Sequence, residues 1–292
     1  MTANLQSPLI QHADNLTDKE FRLFKALIYE QTGISLSEHK RALVYSRLGK
    51  RLRFHGLKTY LDYYNYILNN DTAGTELVEM INAITTNKTS FFREDFHFKF
   101  LSETLFPALK ENAQSHDTKT INIWSAGCST GEEAYTIAMA LSEAFPDNFG
   151  WNVKILATDI DTNVLNKASD GIYPIENASQ IPNNLLLKYF HKGRGENNGY
   201  FRASDKLRNL ITFQQLNLLD SKWSHNQKFD IIFCRNVIIY FDKKTQHELI
   251  HRFQDYLDLD GYLMLGHSES LHGQETNLVN LGKNIYQINR AS

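Results

Sequence analysis

From residue 119 onward, short apolar runs alternate with stretches of helical periodicity, and that alternation restricts the chain to a parallel sheet wound with crossovers. The runs are Ile121–Ser125, Val153–Thr158, Leu210–Gln215, Phe229–Cys234 and Tyr262–Gly266. Helical patterns fall between them at about Gly131–Phe145, Asn163–Ala168 and Thr245–Leu257, and Asn284–Asn289 reads as a last strand. Right-handed crossovers make this a doubly wound α/β sheet whose ligand crevice lies at the carboxyl ends of the strands. One piece breaks the alternation: His191–Arg202 contains Asn198-Gly199, a hairpin signal, and predicts a small antiparallel β insertion at about 190–205.

The preceding segment, Leu16 to Leu109, reads as helical throughout. Thr17-Asp-Lys-Glu20 forms a capping-box pattern ahead of Phe21, Phe24 and Ile28. Gly33 breaks that helix, and Ser37 is the expected cap of a second, with Leu43, Val44, Leu48 and Leu52 as its apolar seam. Further helices are expected at Tyr60–Leu68 and Glu76–Ala83. The polar stretch Glu111–Lys119 places the domain boundary near 115, giving a flexible 1–15, an all-helical domain at 16–115 and the sheet domain at 116–292.

Lys and Arg number 31 against 33 Asp and Glu, a net charge of -2, so no global field draws the chain to nucleic acid or an anionic membrane. The first 18 residues hold no Lys or Arg and no long apolar core, the opposite of a secretory signal, and a cytoplasmic location is expected. Phe229–Phe241 is the most apolar stretch, but Asp230, Arg235 and Asn236 interrupt it well short of the ~20 residues a membrane helix needs. Two cysteines, Cys128 and Cys234, give neither a disulfide framework nor paired zinc-ligand spacing, and no metal is expected.

Chemistry-bearing residues cluster after the strands. Strand Ile121–Ser125 runs into Ala126-Gly-Cys-Ser-Thr-Gly131, where glycines four apart match neither the dinucleotide fingerprint nor a P-loop. Taken alone, the segment reads better as a plain strand-to-helix turn with Thr130-x-x-Glu133 as a capping box for the helix that follows. Asp159 ends the second strand, where a carboxylate can accept hydrogen bonds from both ribose hydroxyls, while Asp161 or Thr162 better suits the helix cap. A glycine turn followed by an acid on the next strand suggests an adenosine ligand lacking a pyrophosphate, as in S-adenosylmethionine. Arg235 and Asn236 stand at the carboxyl end of the fourth strand, without the Asn-Pro-Pro-aromatic element of amino-directed methyltransferases; Cys234, Tyr240 and Phe241 read as packing on pattern alone. Thr85–Glu94 is a polar loop with Phe91 and Phe92 as core.

Together these segments resemble the CheR family of chemotaxis receptor methyltransferases. The resemblance rests on Asn87–Glu94, Trp124–Glu133, Ala157–Asp161, Phe229–Asp242 and Gly266–Ser270, and spans Leu16 to Asn289, with Ala134 where relatives often have proline. It implies a Rossmann-like class I methyltransferase fold and transfer of the methyl of S-adenosylmethionine to receptor glutamates, with S-adenosylhomocysteine as product. By matching positions it implies cofactor contacts from Asn87, Thr89, Arg93, Glu133, Asp159, Asn217, Leu218, Cys234 and Arg235, and a transfer site bordered by Tyr240, Arg235 and Arg93. A carboxylate acceptor is already ionised at neutral pH, so the chemistry needs orientation rather than a base. The alternative is a non-catalytic S-adenosylmethionine-binding adaptor or sensor; an RNA methyltransferase is a weaker rival.

Partners follow from the same resemblance: cytoplasmic receptor domains, with recruitment to membrane receptor arrays, no nucleic acid, no membrane insertion, and a monomeric enzyme. Lys40, Arg47, Lys50 and Arg53 on the basic second helix are the expected receptor face, against the plainer reading of a solvated charge run. Gly193, Gly195 and Gly199, with Arg202, resemble the β-subdomain that docks a receptor's C-terminal tail; on composition alone they only permit turns.

Overall fold

The computed structural model describes residues 15–112, 119–146, 150–225, 227–273 and 275–289; the expected flexible terminus at 1–15 lies almost wholly outside them. The chain divides into two compact units between Thr85 and Thr86. In the first, α1 (Asp18–Thr32) starts on the capping box of Thr17 and Glu20 and ends at Gly33. Helices α2 (Arg41–Phe54), α3 (Tyr60–Asn69) and α4 (Thr75–Ile84) follow. Ser37 caps nothing with its side chain: it precedes a 3₁₀ turn at Glu38–Lys40, and α2 begins only at Arg41. Phe21, Phe24, Leu27 and Ile28 of α1 pack on Val44, Leu48, Leu52, Tyr60, Tyr63 and Met80 to form this unit's core. Buried in it, Glu76 accepts hydrogen bonds from Arg51 Nε at 2.8 Å and Tyr63 Oη at 2.6 Å, and its Oε2 lies 2.7 Å from His55 Nε2.

The second unit begins about thirty residues before the boundary expected near 115, because α5 (Phe96–Phe100), a π-helical turn (Leu101–Leu105) and α6 (Phe106–Asn112) belong to its core. Phe98, Leu101, Leu105 and Phe106 pack with Ile121, Ile137, Phe145 and Phe233. Helical periodicity shows that a helix has an apolar face but not which core receives it.

The expected strands form as β1 (Lys119–Ala126), β2 (Trp151–Asp159), β6 (Ile211–Gln215), β7 (Phe229–Cys234), β8 (Leu257–Leu265) and β10 (Ile285–Ile288), with β9 (Leu278–Asn280) in addition. Their order is β6-β2-β1-β7-β8-β10-β9. Strand β1 pairs in parallel with β2 and β7, while β10 runs antiparallel to β8 and β9. The winding reverses between β1 and β7, and a ligand crevice belongs at that reversal. Helices α7 (Glu132–Ala144), α8 (Thr162–Asp170) and α11 (Lys243–Tyr256) cross over between strands.

The insertion is larger than the expected 190–205. Strands β3 (Ile172–Pro174), β4 (Phe190–Lys192) and β5 (Tyr200–Ala203) make a second sheet in the order β3-β5-β4, with α9 (Asn183–Tyr189) inside it and α10 (Asp205–Arg208) leading back to β6. Three residues ending in proline gave β3 no readable alternation.

Candidate active site

The site is built where chain leaves the carboxyl ends of β1, β2 and β7. After β1 the chain turns sharply enough that the amides of Gly127 and Cys128 both donate to the Thr158 carbonyl of β2, at 2.7 and 2.9 Å. Gly127 has φ +81°, and a Cβ there would lie 2.4 Å from a Val237 methyl, so this turn and the loop after β7 can touch only through glycine. Ser129, itself at φ +51°, donates its amide to Asp159 Oδ2 at 2.8 Å, and the Asp161 amide donates to Oδ1 at 3.0 Å. Asp159 is thereby fixed in orientation with lone pairs left over, and burial raises its carboxyl above the ordinary range against the pull of those amides. Asp161 caps α8 as expected, through the amides of Asn163 and Val164, and its other oxygen accepts from Asn87 Nδ2 at 2.7 Å.

Glu133 does not form the capping box with Thr130. Gly131 is the N-cap of α7, and the Thr130 hydroxyl donates to Glu132 instead. Freed from the helix end, Glu133 accepts from Ser125 Oγ at 2.7 Å and faces Arg235 Nη1 at 3.3 Å. Burial pushes its carboxyl up, with the Arg235 charge opposing. Arg235 is almost wholly enclosed: Nη2 donates to the Arg93 carbonyl and lies 3.4 Å from Glu94 Oε2, and the guanidinium sits 5.5 Å over the Phe98 ring. Its Nε is a buried donor with no protein partner among the described residues. Burial alone would raise Glu94, but hydrogen bonds from His267 and the Arg235 charge outweigh it and hold Glu94 below the usual carboxylate range.

The loops that carry these groups are strained. Phe92, Glu94, Ser129 and Asn236 all have positive φ between +51° and +60°, a region non-glycine residues enter at a cost and keep where surroundings force it.

The remaining expected residues fall as follows. Arg93 folds back to donate to the Lys88 carbonyl at 2.8 Å, and Thr89 is half-buried in the same loop. Asn217 accepts the Leu219 amide at 3.0 Å, and the buried Leu218 turns its carbonyl to Trp223 and Arg252. Tyr240 ends a 3₁₀ turn, Ile238–Tyr240, half-exposed. Cys234 ends β7 with its side chain in the apolar cluster of Trp124, Ile232 and Phe253, where burial raises its thiol, so only its backbone faces the loop that follows. Sequence reasoning gave no role to Glu94, His267 or Glu269, although each lies in a segment that carried the resemblance; carboxylates aimed at backbone amides leave no spacing signature.

In the first unit, Lys40, Lys50 and Arg53 are exposed, but Arg47 is not part of a continuous stripe. Its Nη1 donates to the carbonyls of Ile84 and Thr85 at 2.6 Å and of Ala83 at 3.3 Å, closing the end of α4. Lys40 belongs to the 3₁₀ turn and not to α2. In the insertion, Gly195 and Gly199 have φ +59° and +89° in the β4–β5 connection. Phe190, His191, Lys192, Gly193, Arg194 and Asn198 line a cleft of about 640 Å³ on the β4 side, where β4 is an edge strand. Arg202 is exposed on β5 with Nε on the Asp170 carbonyl at 3.2 Å.

The family model described as the CheR methyltransferase all-alpha domain matches residues 19–85, and that of the CheR methyltransferase SAM binding domain matches residues 87–286. The chain is 43% identical over 262 residues to a chemotaxis protein methyltransferase of Borreliella burgdorferi, covering 89% of this chain and 91% of that one. It is 40% identical over 287 residues to chemotaxis protein methyltransferase 2 of Pseudomonas aeruginosa, covering 98% and 99%. With the chemotaxis protein methyltransferase of Escherichia coli it shares 41% identity over 276 residues, covering 94% and 92%.

Proposed function

Because the chain belongs to the CheR family of S-adenosylmethionine-dependent methyltransferases, we propose that it esterifies glutamate side chains on the cytoplasmic domains of methyl-accepting chemoreceptors. The observation that carries this reading is the convergence of Glu133, Asp159, Asp161 and Arg235 at the β1–β7 reversal, inside the segment matched by the SAM binding domain.

The donor set fits the cofactor: a held carboxylate at the end of β2 suits a ribose, and buried Arg235 Nε offers a donor to an anionic group. Asp159 would take the ribose, Glu133 the amino end, Asn87, Thr89 and Arg93 the methionine end, and Asn217 with Leu218 the adenine. When bound, S-adenosylmethionine supplies a methyl group on sulfonium sulfur, whose bonding pair stays on sulfur as the methyl leaves. The protein's part is to hold a glutamate carboxylate in line with that methyl, about 3 Å away, and to strip it of water. No proton has to be removed from an ionised acceptor. Arg235 is already engaged by Glu94, Glu133 and the Arg93 carbonyl, so orientation of the acceptor falls to Tyr240, and Arg235 braces the loop.

Receptor contact falls to exposed Lys40, Lys50 and Arg53, and the β insertion offers a free edge to an extended C-terminal tail, with Arg202 near an acidic residue or the terminal carboxylate. No helix among the described residues is long and apolar enough to cross a membrane. In this reading the enzyme works as a monomer from the cytoplasm and is recruited to receptor arrays. The test is incubation with methyl-labelled S-adenosylmethionine and receptor membranes. Base-labile release of labelled methanol is expected; base-stable label refutes the glutamate acceptor, and binding without transfer favours the sensor.

A further inference from the structure

One buried carboxylate ties together the loops that follow β7 and β8. Glu269 is 2% exposed. Its Oε2 accepts the backbone amides of Asn236 and Gly266, each at 2.7 Å, and its Oε1 accepts the Ile239 amide at 3.3 Å, with the Val237 amide also bonded. Among the described residues no cation forms an ion pair with it, so its charge is met by backbone dipoles alone. An enclosed carboxylate of this kind is costly unless fully hydrogen-bonded. The four amides belong to two loops, so the bonds fix one loop against the other.

The surroundings are cut to this contact. A Cβ on Gly266 would lie 2.5 Å from Asn236 Nδ2 and 2.8 Å from Glu269 Oε2. Asn236 is held at φ +60°, and its side chain reaches Glu94 Oε1 at 3.4 Å, while His267 donates its amide to Glu94 Oε2 at 3.1 Å. Ile239, whose amide Glu269 holds, directly precedes Tyr240 in the 3₁₀ turn.

We infer that Glu269 is a positioning residue for methyl transfer: by binding the amides of the Asn236–Ile239 loop it sets where Tyr240 stands and therefore where the acceptor carboxylate is held. This rests on the reading that Tyr240 orients the acceptor. A displacement near 1 Å at a reacting centre can cost about a hundredfold in rate, so a small relaxation of the turn is enough to matter.

Glu269→Gln keeps one acceptor oxygen for Asn236 and Gly266 but turns an NH₂ group toward the Ile239 amide, donor against donor. The expected result is a fall in kcat of tenfold or more, S-adenosylhomocysteine affinity by calorimetry within threefold, and faster hydrogen exchange at the Val237 and Ile239 amides but not in β1. In a Tyr240→Phe background the same change is expected to cost less than threefold, since the hydroxyl it positions is gone. Equal losses in both backgrounds, a loss of affinity as large as the loss of kcat, or unchanged exchange at Ile239 overturns the inference. Wild-type transfer by Tyr240→Phe alone overturns the Tyr240 reading; wild-type transfer by Glu269→Gln with Tyr240→Phe impaired overturns only the role of Glu269. Should Glu269→Gln not fold, Gly266→Ala presses on the same Oε2 without removing the charge and is expected to give the same pattern.

Discussion

Asp159 uses one carboxylate oxygen to receive the Ser129 amide from the turn after β1 and the other to receive the Asp161 amide from its own loop, which fixes its orientation with no ion-paired cation among the described residues. If it also binds two ribose hydroxyls, Asp159→Ala removes two hydrogen bonds to a charged group, at about 1.5–3 kcal/mol each before compensation by water. Calorimetry with S-adenosylhomocysteine is then expected to show at least about a tenfold loss, and unchanged affinity in a folded variant removes the ribose assignment. His97 makes a second prediction. It is wholly buried, and enclosure, reinforced by the Arg235 charge, brings its pKa down from 6.5 to about 4, with Nε2 on the Lys283 carbonyl. Below pH 6.5 the unfolded chain takes up a proton that the folded chain refuses, so stability falls from 6.5 toward 4 and then levels. The loss is on the order of 3 kcal/mol. Urea unfolding at pH 7 and pH 4.5 is expected to show a smaller difference for His97→Gln than for the wild type; an equal difference assigns the acid limb to other groups.

Helix ends repay the same attention as side chains. Arg47 closes α4 on three carbonyls, the groups a helix leaves unpaired and electronegative at its C-terminus. Arg47→Met is therefore expected to destabilise the first unit by about 1–3 kcal/mol in urea, whereas exposed Lys50→Glu stays within about 0.5 kcal/mol. If Arg47→Met lowers receptor methylation, its melting must be measured before a binding role is assigned. The sequence carried the elements whose cause is local. Thr17 and Glu20 announce α1, Asp161 announces α8, and five apolar runs announce five strands, because caps and alternation act within a few residues. It did not carry facts that depend on a distant partner: that α5 and α6 serve the second core, that β3 joins β5, or that Glu133 leaves its helix end for Ser125 and Arg235. Asp159 was singled out as a ribose ligand from the residues alone, while Glu133 acquired a ligand role only through the family resemblance, and Glu269 acquired none.

At the scale of the whole chain, all the proposed cofactor residues, from Asn87 to Arg235, lie in the second unit, which also has its own core. A fragment of residues 86–292 is expected to fold and bind S-adenosylhomocysteine within about threefold of the full chain; loss of binding in a folded fragment would show that the first unit contributes to the crevice. Within that unit the groups around Arg235 come from far apart in sequence: Glu94 precedes every strand of the large sheet, Glu133 follows β1, and His267, which holds Glu94, follows β8. During synthesis on the ribosome the loop bearing Glu94 is made early and must wait for more than half the chain before its partner emerges. A stalled or truncated product ending before β8 would have the glycine turn and the ribose carboxylate but no His267 to hold Glu94 and no Glu269 to hold Asn236. Such incomplete chains would lack the contacts that fix the loop before Tyr240, leaving methyl transfer to molecules translated nearly to the end.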